Sequence, residues 1–137
     1  MSDIERNKAL ARREQEVFWA GGHAAIADEL FARQVTEGDG RVVSPSDLVA
    51  QMQMQRAAAP DVQIRVLDQI AEGDRVVTRL EVVGTHLGQW QGIPPTGKRF
   101  VMSGLVMRRI ADGKIVERWD NLDWLGAFRQ LGLIQAM

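Results

Sequence analysis

The sequence predicts an α+β domain in which helices come first and an antiparallel sheet follows. Three observations carry this. Up to Pro60 the chain shows helix starts and stops around loosely spaced apolar stripes. From Val62 onward, apolar and polar residues alternate, the period of a half-buried strand. Glu72-Gly73-Asp74 and Asp112-Gly113 are hairpin signals, and hairpins join antiparallel neighbours.

Ser2 is placed to cap the first helix, with Asp3 and Glu5 in a first turn where negative charge suits the helix dipole. Ile4, Leu10, Val17, Phe18 and Trp19 form its apolar stripe, and Gly21-Gly22 ends it. A shorter helix is expected from Ala24, burying Ile26, Leu30 and Phe31, followed by a loop over Thr36 to Arg41 that contains Gly38 and Gly40. Ser44-Pro45-Ser46-Asp47 opens a third helix, which carries Leu48, Val49, Met52 and Met54 and stops before Pro60. Strands are expected at Val62 to Leu67, Arg75 to Thr85, Arg99 to Ile110 and Lys114 to Leu122. A Gly- and Pro-rich loop, Gly88 to Lys98, separates the second strand from the third. A short last helix carries Leu125, Phe128 and Leu131 and closes at Gly132. Helices packed on one face of a strongly curved sheet leave a pocket at its open end.

The 137 residues suit one domain, spanning 1–137. With 17 basic and 18 acidic side chains the formal net charge is −1, which argues against a polyanionic partner such as nucleic acid. Cysteine is absent, which excludes disulfides, thiolate catalysis and sulfur-ligated zinc and suits a reducing cytoplasm. Two histidines, His23 and His86, are too few for a histidine-rich metal cage. The charged start, MSDIERNKALARREQ, lacks the apolar core of a secretory signal, and no apolar run approaches the ~20 residues of a membrane span.

Three stretches carry a family likeness: IAEGDRVVTRLEVVGTHLGQWQGIPPTGK (Ile70 to Lys98), DGKIVERW (Asp112 to Trp119) and DWLGAFRQLG (Asp123 to Gly132). Together, in this order and spacing, the chain resembles the SnoaL-like polyketide cyclase, or ester cyclase, family of the nuclear transport factor 2-like superfamily. The resemblance implies a cone-shaped antiparallel sheet packed against N-terminal helices, a dimer, and one apolar pocket per subunit. It also implies cofactor-free ring closure by intramolecular aldol chemistry, with an acidic side chain in the cone as acid/base. Other members of the superfamily are hydrolases, dehydratases, isomerases or binding proteins, so those readings stand beside a lyase- or isomerase-type cyclase. Where many relatives carry a histidine after the second helix, this chain reads Phe31-Ala32-Arg33-Gln34-Val35.

An aldol closure needs a base for the proton α to a carbonyl and an acid for the new alkoxide, and one pocket carboxylate can serve as both. Asp120 and Asp123 stand at the end of the last strand. The family pattern W-x-x-x-D matches Trp119 and Asp123, which makes Asp123 the first candidate and Asp120 the second. Asp123 is equally placed to cap the last helix, and Asp120 to pair at the surface with Arg118 or Arg109. Arg79 and Glu81 share a strand face and either orient a substrate inside the cone or form a solvated outer pair. His86, in GTHLG, is a candidate to hydrogen-bond a carbonyl or enolate, or else loop backbone. Trp90, Trp119, Trp124, Phe100, Met102, Met107 and Met52 are candidates for the walls of a pocket for a small hydrophobic molecule. The long third strand is apolar at both parities, Val101, Leu105 and Met107 on one and Phe100, Met102 and Val106 on the other, which predicts a homodimer through the outer sheet face.

Overall fold

The computed structural model describes residues 1–134. Helix α1, Asp3–Arg13, starts on a reciprocal cap: the Glu5 N–H donates to the Ser2 hydroxyl and the Ser2 N–H to the Glu5 carboxylate. It runs without a break into a wider π-helical turn, Glu14–Trp19. The extra residue in that turn brings Glu14, Gln15, Phe18 and Trp19 all to the buried side. A 3₁₀ turn, Ala24–Ile26, and a single α-turn, α2, Ala27–Leu30, follow. Helix α3, Pro45–Ala58, repeats the reciprocal cap with Ser44 and Asp47 and has proline in its first turn.

Strands β1 (Phe31–Glu37), β2 (Val42–Val43), β3 (Gln63–Glu72), β4 (Arg75–Thr85), β5 (Arg99–Ala111) and β6 (Lys114–Leu122) form one open sheet in the order β2-β1-β6-β5-β4-β3. Helix α4, Trp124–Gln130, follows β6. The α+β class and the four later strands match the sequence reading. At the β5–β6 turn, Asp112 and Gly113 both take positive φ (52° and 74°), the conformation of a two-residue hairpin turn.

Two expectations need correction. The sheet is mixed, because β1 lies parallel to β6. And β1 occupies residues expected to end a helix and begin a loop. Phe31 and Val35, both buried, are four apart, a spacing that fits a helix as well as a strand. The pairing is also irregular: Phe31 to Thr36 lies against only Ile115 to Glu117, so the bulged strand loses the regular alternation that would announce it.

The core lies between the helices and the inner sheet face, around Phe18, Leu30, Phe31, Leu48, Val76 and Ile115. Phe18 meets Trp19 and Phe31 edge to face, with ring centroids 4.9 and 5.2 Å apart. Met52 belongs to this core at 1% exposure rather than to a pocket wall, since α3 turns it toward the sheet.

Candidate active site

Register decides which side chains reach the cavity. Pairing β5 with β6 sets Val106 opposite Asp120, Arg108 opposite Arg118 and Gly104 opposite Leu122 on the inner face. The intervening pairs, Met107 with Trp119 and Arg109 with Glu117, point outward. The inner face of β3 to β6, the C-terminal half of α3, helix α4 and the Gly88–Lys98 loop line a half-open cavity of about 130 Å³. Its walls are mainly apolar: Leu80, Val82, Phe100, Met102, Val106 and Leu122 from the sheet, Ala127, Phe128 and Leu131 from the α4 side. Trp90 and Trp124 close one end as a stack, 5.4 Å between centroids and 14° from parallel.

Of the expected wall residues, Trp90, Trp124, Phe100 and Met102 line the cavity. Trp119 and Met107 do not, because their parity sends them to the outer face, where Trp119 lies under the Arg75 guanidinium. Arg79 and Glu81 also face outward and pair with Asp68 and Arg65 across the β3–β4 ladder. They form the solvated cross-strand set and stand outside the cavity lining.

The two aspartates separate. Asp120 lines the cavity and is itself exposed to solvent. Asp123 lies just beyond the strand, is exposed, and accepts the Gly126 N–H at 2.9 Å as the cap of α4. Asp120 is the one carboxylate among the described cavity-lining residues. Its polar company is Arg118 on its own strand, Gln15 and Trp19 from the π turn, Gln51, Gln55 and Arg56 from α3, and His86.

Behind this wall lies a charged cluster that sequence reasoning missed. Glu14, fully buried, accepts from the Nε atoms of Arg108 and Arg118 and, at 3.0 Å, from Trp19 Nε1. Arg108 also donates to Thr78 Oγ1 at 2.9 Å, and Arg118 Nη1 to Glu37 at 3.3 Å. Burial by itself would raise the Glu14 carboxyl, but the Arg108 and Arg118 charges and the Trp19 hydrogen bond outweigh it and hold it at about 2. Burial likewise pushes the Glu37 carboxyl up; Arg118 opposes this, while Asp120 and Glu14 add to it. Burial would lower the Arg118 guanidinium, yet Glu14, Glu37 and Asp120 hold it above its ordinary value. A signal for the cluster exists in the sequence: Arg108 falls on the same parity as Met102, Val106 and Ile110, and a charge on a buried parity requires a buried partner.

The Gly88–Lys98 loop is held by GTHLG. The Leu87 and Gly88 N–H groups both donate to the Ala58 carbonyl at 3.0 Å. A side chain at Gly88 would run into the Ala57 carbonyl oxygen, so this close approach to the end of α3 requires glycine. His86 is 3% exposed, and its backbone exchanges hydrogen bonds with Lys98 and Gly97. Its Nδ1 accepts the Thr96 N–H at 3.2 Å and lies 3.2 Å from the Thr96 hydroxyl. Its Nε2 is buried with no partner among the described residues. Within those residues, no group of three or more His, Cys, Asp or Glu side chains is arranged to hold a metal ion, and no helix is long and apolar enough to cross a membrane.

Comparison with known proteins fits this geometry. Residues 9–131 match the model of the SnoaL-like polyketide cyclase family. Aklanonic acid methyl ester cyclase DnrD of Streptomyces peucetius is 28% identical over 128 residues, covering 90% of this chain and 88% of that protein. The crystal structure of IdmH from Streptomyces antibioticus, a proposed polyketide cyclase, superposes with a TM-score of 0.80 at 31% identity, over 92% of this chain and 98% of that one. AclR of Streptomyces galilaeus, a proposed hydroxylase, superposes with a TM-score of 0.83 at 29% identity, over 98% and 90% of the two chains. A cavity walled mainly by aromatic and aliphatic side chains and a match over nearly the whole chain agree: the protein belongs to the SnoaL-like polyketide cyclase family.

Proposed function

We propose that the protein is a cofactor-free, cyclase-like enzyme that closes a ring in a small hydrophobic carbonyl compound of polyketide type, with Asp120 as the acid/base. The observation that carries this is the placing of Asp120 as the one carboxylate among the described residues lining an otherwise largely apolar cavity. The Asp120 carboxylate takes a proton from a carbon α to a carbonyl, and the C–H electron pair becomes an enolate. The enolate carbon attacks a second carbonyl of the same molecule; a C–C bond forms and the carbonyl π pair becomes an alkoxide. Asp120 returns its proton to that oxygen, so the aspartate is regenerated and no external reductant or oxidant is used. The apolar walls hold the chain folded with the two carbonyls near each other, and a ligand filling the cavity displaces water from the reacting carbons.

Aklanonic acid methyl ester, which gives the relative DnrD its name, is the test substrate. Asp120→Asn should lower turnover by about 10²–10⁴-fold with a much smaller change in KM. Asp123→Asn, at the α4 cap, should leave turnover near wild type. Full activity in Asp120→Asn would remove the assignment. A wild-type protein that binds the ester without converting it would replace the enzyme with a carrier of small hydrophobic molecules.

A further inference from the structure

The cavity holds a polar group that the aldol scheme leaves unused. His86 lines the cavity, is 3% exposed, and its Nε2 has no hydrogen-bond partner among the described residues. Buried polar atoms are nearly always satisfied, and an unpaired one in a side chain that borders a cavity marks a place for a ligand atom. The hydrogen bonding of the other ring nitrogen settles what kind of atom is missing. Nδ1 accepts the Thr96 backbone N–H, a donor that cannot be turned round, so Nδ1 carries no proton. The Thr96 hydroxyl, which accepts the Lys98 N–H at 3.3 Å, has its own hydrogen free to point at Nδ1. In a neutral imidazole the proton then sits on Nε2, which is a donor and needs an acceptor. The acceptors in the same lining, on Gln15, Gln51, Gln55 and Asp120, make no hydrogen bond to it.

We infer that His86 holds a carbonyl oxygen of the ligand through its Nε2–H, and that Thr96, in the Pro-Pro-Thr-Gly-Lys segment, is the positioning residue that fixes this tautomer. The inference rests on the reading of the cavity as a site for a hydrophobic carbonyl compound. It gives the loop a role: the backbone pairing of His86 with Gly97 and Lys98 holds the ring and its orienting threonine in one rigid unit. During ring closure, a fixed neutral donor at the carbonyl stabilises the enolate oxygen as charge gathers there, without giving up its proton.

The test needs no turnover. 1-Tetralone and tetralin share a bicyclic frame and differ in one carbonyl, and binding of each is read by quenching of tryptophan fluorescence. Wild-type protein should bind the ketone about three- to tenfold more tightly than the hydrocarbon, the value of one neutral hydrogen bond. The carbonyl stretch of bound 1-tetralone should fall below its value in an apolar aprotic solvent. His86→Phe should abolish both effects, and His86→Gln, whose amide N–H reaches the same region, should restore them in part. Nitrogen NMR of the unsubstituted protein should show the His86 proton on Nε2, a result that depends on no variant folding. A proton on Nδ1, or a ketone preference that survives in His86→Phe, overturns the inference. If both probes bind equally, the carbonyl site is lost and the apolar cavity stands. If neither binds, the reading of the cavity falls and the inference with it.

Discussion

Asp120 and Asp123 lie three residues apart and are placed differently because the strand ends between them. Asp120 is still in register with Val106 and so reaches the inner face, whereas Asp123 has left the ladder and turns its carboxylate onto the α4 backbone. Asp123→Ala should therefore cost ~0.5–2 kcal/mol of stability, read from urea unfolding, while Asp123→Asn, which caps about as well, should cost little. The family pattern names Asp123 first, and motif spacing does not reveal that the strand stops before it. His86 was legible as a candidate from GTHLG; its free Nε2 was not, since that depends on Thr96, ten residues away across a loop. Arg79 and Glu81 show the limit of period-two reasoning in the other direction: it places two residues on one face without saying which face is inside.

Among the elements, the hairpins and capped helices were readable because their signals are local. The π turn and β1 were not. The π turn shows no composition of its own, and β1 spends its residues on a bulge beside β6. Yet the turn between α1 and the sheet is where the largest electrostatic stake lies. Glu14 joins the first helix to β5 and β6 through Arg108 and Arg118, with no exposure of its own. Glu14→Gln would leave the buried Arg108 guanidinium without a carboxylate and Arg118 with Glu37 alone, and should cost roughly 3–5 kcal/mol at neutral pH. The pH dependence follows from the sign of the shift. Glu14 is held at about 2 in the folded protein against 4.5 as its ordinary value, so the unfolded chain binds more protons between them. Its contribution is fully present above 4.5 and is lost as pH falls toward 2. Urea midpoints should then drop more steeply across this window in the wild type than in Glu14→Gln. Equal slopes in the two proteins would show that the folded protein does not hold the Glu14 carboxyl below its ordinary value.

For the molecule as a whole, the sheet presents two different faces. The inner one makes the core and the cavity. The outer one carries Val101 and Leu105, 38% and 48% exposed, beside Met107 and Trp119 and a border of Arg65–Glu81, Asp68–Arg79 and Arg109–Glu117 pairs. An apolar stripe with a charged rim is the composition of a self-complementary contact. Light scattering at micromolar concentration should give a dimer mass, and Leu105→Lys should give a monomer; a monomeric wild type would contradict this. The proposed chemistry in the cavity turns on one proton. The most direct measurement is exchange of the substrate's α-proton into D₂O, followed by NMR on the compound used in the turnover assay. Wild-type protein should exchange that proton well above the buffer rate, and Asp120→Asn should fall to the buffer rate while Asp123→Asn keeps it. Exchange at the wild-type rate in Asp120→Asn would remove Asp120 as the base.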